Sequence, residues 1–277
     1  MKEAKKLSII ITAYRKAELL SLCISALREN IDNLDYEIIV VSSATDEATY
    51  DVMREEFSDV QFLPHKENKG FGYLANRGIE RAKGEYLFII NHDIIVTKGA
   101  VEKLLEYCQG NPEVGIVGPE LVNFDGTVQL SAFKFYSWRT ILFRRTFLGK
   151  FRFAQKHLDE FLLKDKIVRN GTTEVDWLMG SATMTSMEAV KKVGLFDERF
   201  FMYFEDVDWC WRFWQAGYKV VYNTEVRVAH YHGKASLNKS VWKALIFNKY
   251  TRIHILSAWK FFLKHFGEPL PRQDGKK

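Results

Sequence analysis

The sequence predicts an α/β protein whose first half is a doubly wound, largely parallel sheet, and three observations carry that prediction. Short β-branched runs, Leu7 to Thr12 (LSIIIT), Ile38 to Val41 and Glu85 to Ile90 (EYLFII), read as strands covered on both faces. Stretches with apolar residues at helical spacing separate them. Polar residues end several of the runs, as expected where strands open onto a ligand crevice.

Taken in order, the first strand is followed by Leu20, Cys23, Ile24 and Leu27, which share one helix face. Ile38 to Val41 leads through a polar turn, Ser42 to Asp46, into a helix reaching Phe57, and Val60 to Leu63 is a third strand. Phe71, Leu74, Ala75, Gly78, Ile79 and Ala82 form the next helix face, Gly84 punctuates, and the fourth strand ends at Asn91-His92-Asp93. This rhythm is βαβαβ. Thr97 is placed to cap a helix carrying Val101, Leu104, Leu105 and Cys108. Val114 to Val117 is a strand, and Asp125-Gly126 reads as a hairpin turn.

Beyond that point the elements are less even. Residues Trp138 to Lys156 mix Arg139, Arg144, Arg145, Lys150, Arg152 and Lys156 with Phe143, Phe147, Phe151 and Phe153. That composition fits a solvated basic helix, a mobile flap or a membrane-facing segment. Val175 to Met179 reads as a strand and Met187 to Val193 as a helix. A helix starts near Glu205, strands cover Tyr218 to Tyr222 and Val226 to His230, and a long helix spans Ser240 to Phe266.

Composition narrows the function. With 277 residues, 47% hydrophobic and 27% charged, the chain buries a full core. A net charge of +5 from 40 basic and 35 acidic residues is too small an excess for a nucleic-acid binder. Cys23, Cys108 and Cys210 are far apart with no CxxC pair, which speaks against a disulfide framework or zinc site and for a reducing compartment. Leu7 to Ile11 is too short for a signal-peptide core, and no run approaches the ~20 apolar residues of a spanning helix. The expected location is the cytoplasm, with any membrane contact made from the surface.

Two carboxylate clusters stand out. Asp93, just past a buried strand, fits a ligand for a hard divalent cation and, through it, a diphosphate; a turn-capping Asp is the competing reading. Glu205-Asp206-Val207-Asp208 opens an apolar helix, where carboxylates are stabilised as anions by the helix dipole. The same carboxylates suit a general base held among aromatics. His230, closing the strand-like run Val226 to His230, is either structural or a metal ligand beside Asp93, and imidazole favours Mn²⁺ over Mg²⁺.

Together these pieces resemble the family 2 glycosyltransferases of GT-A fold, in particular their rhamnosyltransferase-like branch. The resemblance runs from about Leu7 to Ser236. It is carried by Asn68-Lys69-Gly70-Phe71-Gly72 with Asn76-Arg77-Gly78-Ile79, by Ala82-Lys83-Gly84-Glu85-Tyr86 leading to Asn91-His92-Asp93, and by Gly118-Pro119-Glu120-Leu121 with Asp125-Gly126-Thr127. Further on come Asp176-Trp177-Leu178-Met179-Gly180-Ser181-Ala182, Gly194-Leu195-Phe196-Asp197-Glu198-Arg199-Phe200-Phe201, and Tyr203-Phe204-Glu205-Asp206-Val207-Asp208-Trp209-Cys210.

The resemblance implies a GT-A domain over residues 1–236. Its Rossmann-like nucleotide-binding half (1–118) and acceptor-binding half (119–236) would share one mixed central sheet, with an amphipathic helical tail over 237–277. It implies Mn²⁺ or Mg²⁺ held by Asp93 and His230, and Asn91 and His92 beside the diphosphate. Thr12, Ala13 and Tyr14 would frame the nucleobase, with Ser42, Asn68, Gly70 and Asn76 along the nucleotide and sugar. Trp177, Gly180, Ser181 and Asp208 would line the donor sugar and acceptor. Asp206 would be the general base, with Glu205 next to it, in an inverting transfer.

One departure is local. The family usually has an Asp after the second strand, in a pattern like DNxSTD, whereas this chain has Ser42-Ser43-Ala44-Thr45-Asp46 and is one residue shorter. A serine there loses a charge-assisted contact worth roughly 1.5–3 kcal/mol.

The implied partners are a dTDP- or UDP-linked sugar and a saccharide or lipid-linked saccharide acceptor, with a second copy of the chain as a further candidate partner. In the tail, Trp242, Ile246, Tyr250, Ile253, Leu256, Trp259 and Phe262 mix with Lys243, Lys249, Arg252, Lys260 and Lys264. Such a helix either lies in a membrane interface or packs on protein. Two rival functions are a sugar nucleotidyltransferase and a catalytically silent nucleotide-sugar-binding subunit of a polysaccharide assembly complex. Nothing near Tyr14 resembles a Gly-rich triphosphate loop, which speaks against the first.

Overall fold

A computed structural model describes residues 6–231 and 249–272. Four short runs with alternating faces build its first half: β1 (Leu7–Tyr14), β2 (Tyr36–Ser43), β3 (Gln61–His65) and β4 (Tyr86–Asn91), all parallel in the order β3-β2-β1-β4. Helices α1 (Ala17–Asn30), α2 (Glu47–Glu55) and α3 (Phe71–Arg81) connect them. The strand alternation decides the layers. Ile9, Ile11, Phe88 and Ile90 pack with Leu20, Ile24 and Leu27 of α1, while Ile10, Leu87 and Ile89 pack with Ala75 and Ile79 of α3. All these strand side chains are fully buried, each stabilising the fold by about 1.5–3 kcal/mol.

The sheet then continues with mixed polarity: β10 (Ala182–Ser186) runs antiparallel between β4 and β6 (Val114–Val122), β11 (Lys219–His230) lies parallel to β6, and β5 (Ile94–Val96) closes the far edge. The short β8 (Thr172–Glu174) pairs with β11, and β7 (Ala132–Phe133) with β9 (Trp177–Leu178). Helix α4 (Ala100–Gly110) joins the α1 side. Helices α7 (Met187–Val193), α8 (Glu205–Gln215) and α9 (Lys249–Lys264) lie on the other side, and α5 (Trp138–Arg145) and α6 (Arg152–Phe161) form a hairpin between β7 and β8.

This is the expected α/β architecture around one mixed sheet, with three local corrections. The two strands expected at Tyr218 to Tyr222 and Val226 to His230 are one strand, because a register shift between Asn223 and Arg227 absorbs the polar Asn223-Thr224-Glu225 without ending it. Thr97 does not cap α4: its hydroxyl donates to the Arg227 carbonyl, and Gly99, in the left-handed region at φ 73°, takes the cap position. Val175 to Met179 is strand only at Trp177–Leu178. The C-terminal helix begins at Lys249 among the described residues; the expectations for Ser240 to Asn248, Trp242, Lys243 and Ile246 included, lie outside them.

Helix α9 packs on its own domain through Ser257, Ala258 and Phe261, the last between Phe204 and Trp211. Its opposite side leaves Leu256, Trp259 and Leu263 more than half exposed. No described helix is long and apolar enough to cross a membrane.

Candidate active site

The carboxyl ends of β1, β2 and β4 converge on one cavity of about 330 Å³, closed on the other side by the residues before α8 and by Tyr250 of α9. Of the residues singled out in the sequence, Thr12, Ala13, Tyr14, Asn68, Gly70 and Asn91 line it, as do His92, Asp93, Gly180, Ser181, Glu205 and Asp206.

Hydrogen bonds fix the strand ends. His92 N–H donates to the Thr12 carbonyl (3.0 Å), Asn91 N–H to the Ser181 carbonyl (3.0 Å), and Thr12 Oγ1 to Asn91 Oδ1 (3.0 Å). The turn after β3 is held by Asn68, whose Oδ1 accepts from Gly70 N–H (3.1 Å). Gly70 sits at φ 84°, and a Cβ there would collide with the Phe201 carbonyl, so only glycine lets this turn touch the segment leading to α8.

Asp93 has the features of a cation ligand. It is mostly buried, and its Oδ1 accepts no hydrogen bond. His230 Nε2 lies 3.5 Å from that oxygen, too far for a well-formed bond. The other ring nitrogen, Nδ1, is 2.7 Å from Gln129 Oε1, whose amide nitrogen donates to Asn123 Oδ1 and to the His230 carbonyl, so Oε1 must be the acceptor and Nδ1 the donor. In the neutral ring Nε2 therefore carries a lone pair facing a carboxylate. A proton or a cation between the two atoms resolves that clash, and a histidine oriented through its second nitrogen is the usual support of a metal ligand. Burial raises the Asp93 pKa, but His230 and His92 outweigh it and hold the carboxyl below its usual range; burial lowers that of His92.

Among the described residues no group of three or more His, Cys, Asp or Glu side chains is arranged to hold a metal. The donor set of Asp93 and His230 fits a divalent ion that takes its remaining ligands from a diphosphate and water.

Across the cavity, Asp206 receives two backbone donors: Gly180 N–H to Oδ2 (3.2 Å) and Val207 N–H to Oδ1 (2.9 Å). A Cβ at Gly180 would press on the Phe71 ring (3.0 Å), so a larger residue there requires that ring to shift by a few tenths of an ångström. Burial pushes the Asp206 pKa up to about 6 against those hydrogen bonds. Glu205 is buried, its Oε2 has no hydrogen-bond partner, and burial together with the Asp206 charge drives its pKa well upward, which favours the neutral acid. Two carboxyls with their pKa values set apart are suited to different tasks. Tyr203 and Phe204, just before them, both adopt left-handed backbone (φ 66° and 68°), a cost of order 1–3 kcal/mol each that the packing around them offsets.

Five sequence-selected residues do not line the cavity: His230 meets it only through Asp93, and four others are held elsewhere. Ser42 is fully buried and accepts a hydrogen bond from Thr45; the next residue, Ser43, lines the cavity wall instead, bonded to Lys69 N–H and Asn68. Asn76 clamps α3 to the Phe196 backbone through both N–H and C=O groups. Trp177 is stacked on Phe133 and donates to the Lys134 carbonyl. Asp208 is fully buried in an ion network with Arg212, Lys264 and His265. Each is a polar group whose own hydrogen bonds are satisfied inside the fold.

Sequence reasoning also missed Ser43, Tyr203, Tyr250 and the orienting Gln129. Ser43 left a trace in the pair of serines ending β2, and Tyr203 in the motif that holds Glu205 and Asp206; Tyr250 and Gln129 depend on contacts distant along the chain.

Comparison with known proteins gives a consistent result. A model of the family described as glycosyl transferase family 2 matches residues 8–192. The chain is 27% identical over 208 residues to an N-acetylglucosaminyl-diphospho-decaprenol L-rhamnosyltransferase of Mycobacterium tuberculosis, covering 70% of this chain and 66% of that protein, just under two thirds of its length. It is 29% identical over 118 residues to the poly(ribitol-phosphate) beta-N-acetylglucosaminyltransferase TarP of Staphylococcus aureus, covering 41% and 36%. A crystal structure of GalNAc-T7 with UDP, GalNAc and Mn²⁺ superposes with a TM-score of 0.62 at 14% identity, over 96% of this chain and 55% of that one, a likeness of fold.

Proposed function

The chain belongs to glycosyl transferase family 2 and is a glycosyltransferase, and from that premise we propose that it moves a sugar from a nucleoside diphosphate sugar to an acceptor hydroxyl, inverting the anomeric configuration. The observation that carries this reading is the placement of Asp206, a hydrogen-bonded carboxylate with a raised pKa, on the same cavity as the cation-ready Asp93.

Asp206, ionised above about pH 6, accepts the proton of the acceptor hydroxyl as that oxygen attacks the anomeric carbon from the side opposite the leaving group. The new glycosidic bond forms as the bond to the diphosphate breaks, and the proton ends on Asp206. Glu205, whose neutral form burial favours, can in that form donate a hydrogen bond to a substrate oxygen. Asp93 and His230 would hold Mn²⁺ or Mg²⁺, which supplies Lewis-acid stabilisation of the departing diphosphate. Thr12, Tyr14, Ser43 and Asn68 supply the polar wall for the nucleoside.

The relatives' names place rhamnose and N-acetylglucosamine among the sugars they move, and a lipid diphosphate among their acceptors. For this chain the corresponding assignment is rhamnose or another hexose from a dTDP or UDP donor. The acceptor would be a saccharide or lipid-linked saccharide of a cell-surface polysaccharide or glycolipid. Work at the cytoplasmic face of a membrane fits the exposed Leu256, Trp259 and Leu263 on the outer side of α9.

The test is a panel of UDP- and dTDP-sugars assayed for nucleoside diphosphate release at several pH values. One donor should be turned over, and its kcat/KM should be level above about pH 6 and fall about tenfold per pH unit below it, because the base is lost by protonation. A profile flat through that range, or no release from any donor, would sink the reading.

A further inference from the structure

Residues 138–156 hold six cations and no carboxylate, more than the +5 of the whole chain. They form α5, a 3-10 turn over Phe147–Lys150 and most of α6. The inner side of this hairpin is anchored. Ala154 and Phe161 are buried, Thr140 Oγ1 bonds His157 Nε2 (2.9 Å), Arg144 donates to the Tyr136 hydroxyl (2.9 Å), and the Gln155 amide donates to the Gly149 carbonyl across the turn.

The outer side is left apolar as well as basic. Trp138 is 65% exposed, Phe147 71%, Phe151 49% and Phe153 62%, and Phe151 and Phe153 stack on each other at 5.8 Å rather than on the domain. Arg139, Lys150, Arg152 and Lys156 are exposed between them, and the next acid along the chain, Asp159, pairs with Lys164. A merely solvated basic helix has no use for four exposed rings. Rings interleaved with long cations match one surface chemistry: apolar groups enter the headgroup–acyl boundary while ammonium and guanidinium groups reach the phosphates.

We propose that the α5–α6 hairpin docks this protein on an anionic lipid bilayer. The hairpin is rooted beside α9: it starts two residues after the buried Tyr136, whose ring lies 6.4 Å from His254. The inference goes beyond the transferase reading and stands without it, because its test reads binding alone.

The experiment is co-flotation of the full chain with vesicles of phosphatidylcholine, alone or mixed with phosphatidylglycerol. The wild type should float with the anionic vesicles and stay down with the neutral ones. Phe147→Gln with Phe153→Gln should lower the partition coefficient at least about tenfold. Arg139→Gln, Lys150→Gln and Arg152→Gln, which keep the rings, should lower it about fivefold per cation. All these positions are exposed, so unchanged melting temperatures confirm that the variants fold. Hairpin variants that float like the wild type would overturn the proposal, as would a wild type that ignores anionic vesicles and instead shifts a labelled single-stranded RNA.

Discussion

Asp206→Asn should lower turnover by at least ~10²-fold while leaving nucleotide binding nearly intact. The amide matches the carboxylate in shape but cannot take the acceptor's proton. It has one acceptor oxygen for two backbone donors, Gly180 N–H and Val207 N–H, so one hydrogen bond is also lost. Unfolding cannot explain the deficit. A carboxyl with a raised pKa contributes stability that is fully present below its unfolded value and lost as pH rises through about 6, so at neutral pH the charged side chain opposes folding and the amide does not. Rates of nucleotide release beside calorimetric titration of nucleotide separate the two effects. Glu205→Gln provides the contrast: burial and the Asp206 charge favour the neutral form of Glu205, which an amide mimics, so its turnover should stay well above that of Asp206→Asn. Near-normal turnover in Asp206→Asn would remove the base from the account.

The second large effect concerns stability. Asp208 lies four residues before Arg212 on α8, and its two oxygens meet Arg212 Nε (2.9 Å), Lys264 Nζ (2.6 Å) and His265 Nε2 (2.9 Å). Burial raises its pKa, but His265, Arg212 and Lys264 more than offset that and hold it low. The network joins α8 to the end of α9. Asp208→Ala would leave cations facing each other in a buried site, a change that costs about 3–5 kcal/mol, or roughly 10 °C in melting temperature for a chain of this size. Urea unfolding at pH 7 checks it, and a loss below about 1 kcal/mol would show that the cations find other partners. The stabilisation should also fade in acid, because a depressed carboxyl contributes above its unfolded pKa and loses its effect as pH falls through the folded one.

The parts of this molecule that were legible in the sequence are those where local pattern and burial agree. Strands β1, β2 and β4 hold continuous apolar runs, and the convergence of Thr12, Asn91-His92-Asp93 and Asn68 follows from parallel strands that all end on one side. Strand β10 was not legible: Ala182-Thr183-Met184-Thr185-Ser186 has no aliphatic run, and it is a strand because β4 and β6 flank it. Asp208 and Asn76 were misread for a related reason. Polar residues near a site look alike in sequence whether they face a ligand or bind the fold together, and only the positions of Lys264 or Phe196 tell them apart. Tyr250 reaches the cavity from a helix far along the chain, a contact no local pattern encodes. The tail illustrates a mixed case, since α9 packs on its own domain and still shows an apolar outer side.

The central claim is that one cavity holds a nucleoside diphosphate through a divalent ion at Asp93, and thermal unfolding with UDP, dTDP or GDP, each with Mn²⁺, Mg²⁺ or EDTA, tests it most directly. One nucleotide should raise the melting temperature only when metal is present, by the equivalent of about 2.7 kcal/mol at ~100 Kd, and Asp93→Asn should abolish the shift. No shift with any nucleotide, or a shift equally large in EDTA and in Asp93→Asn, would contradict it.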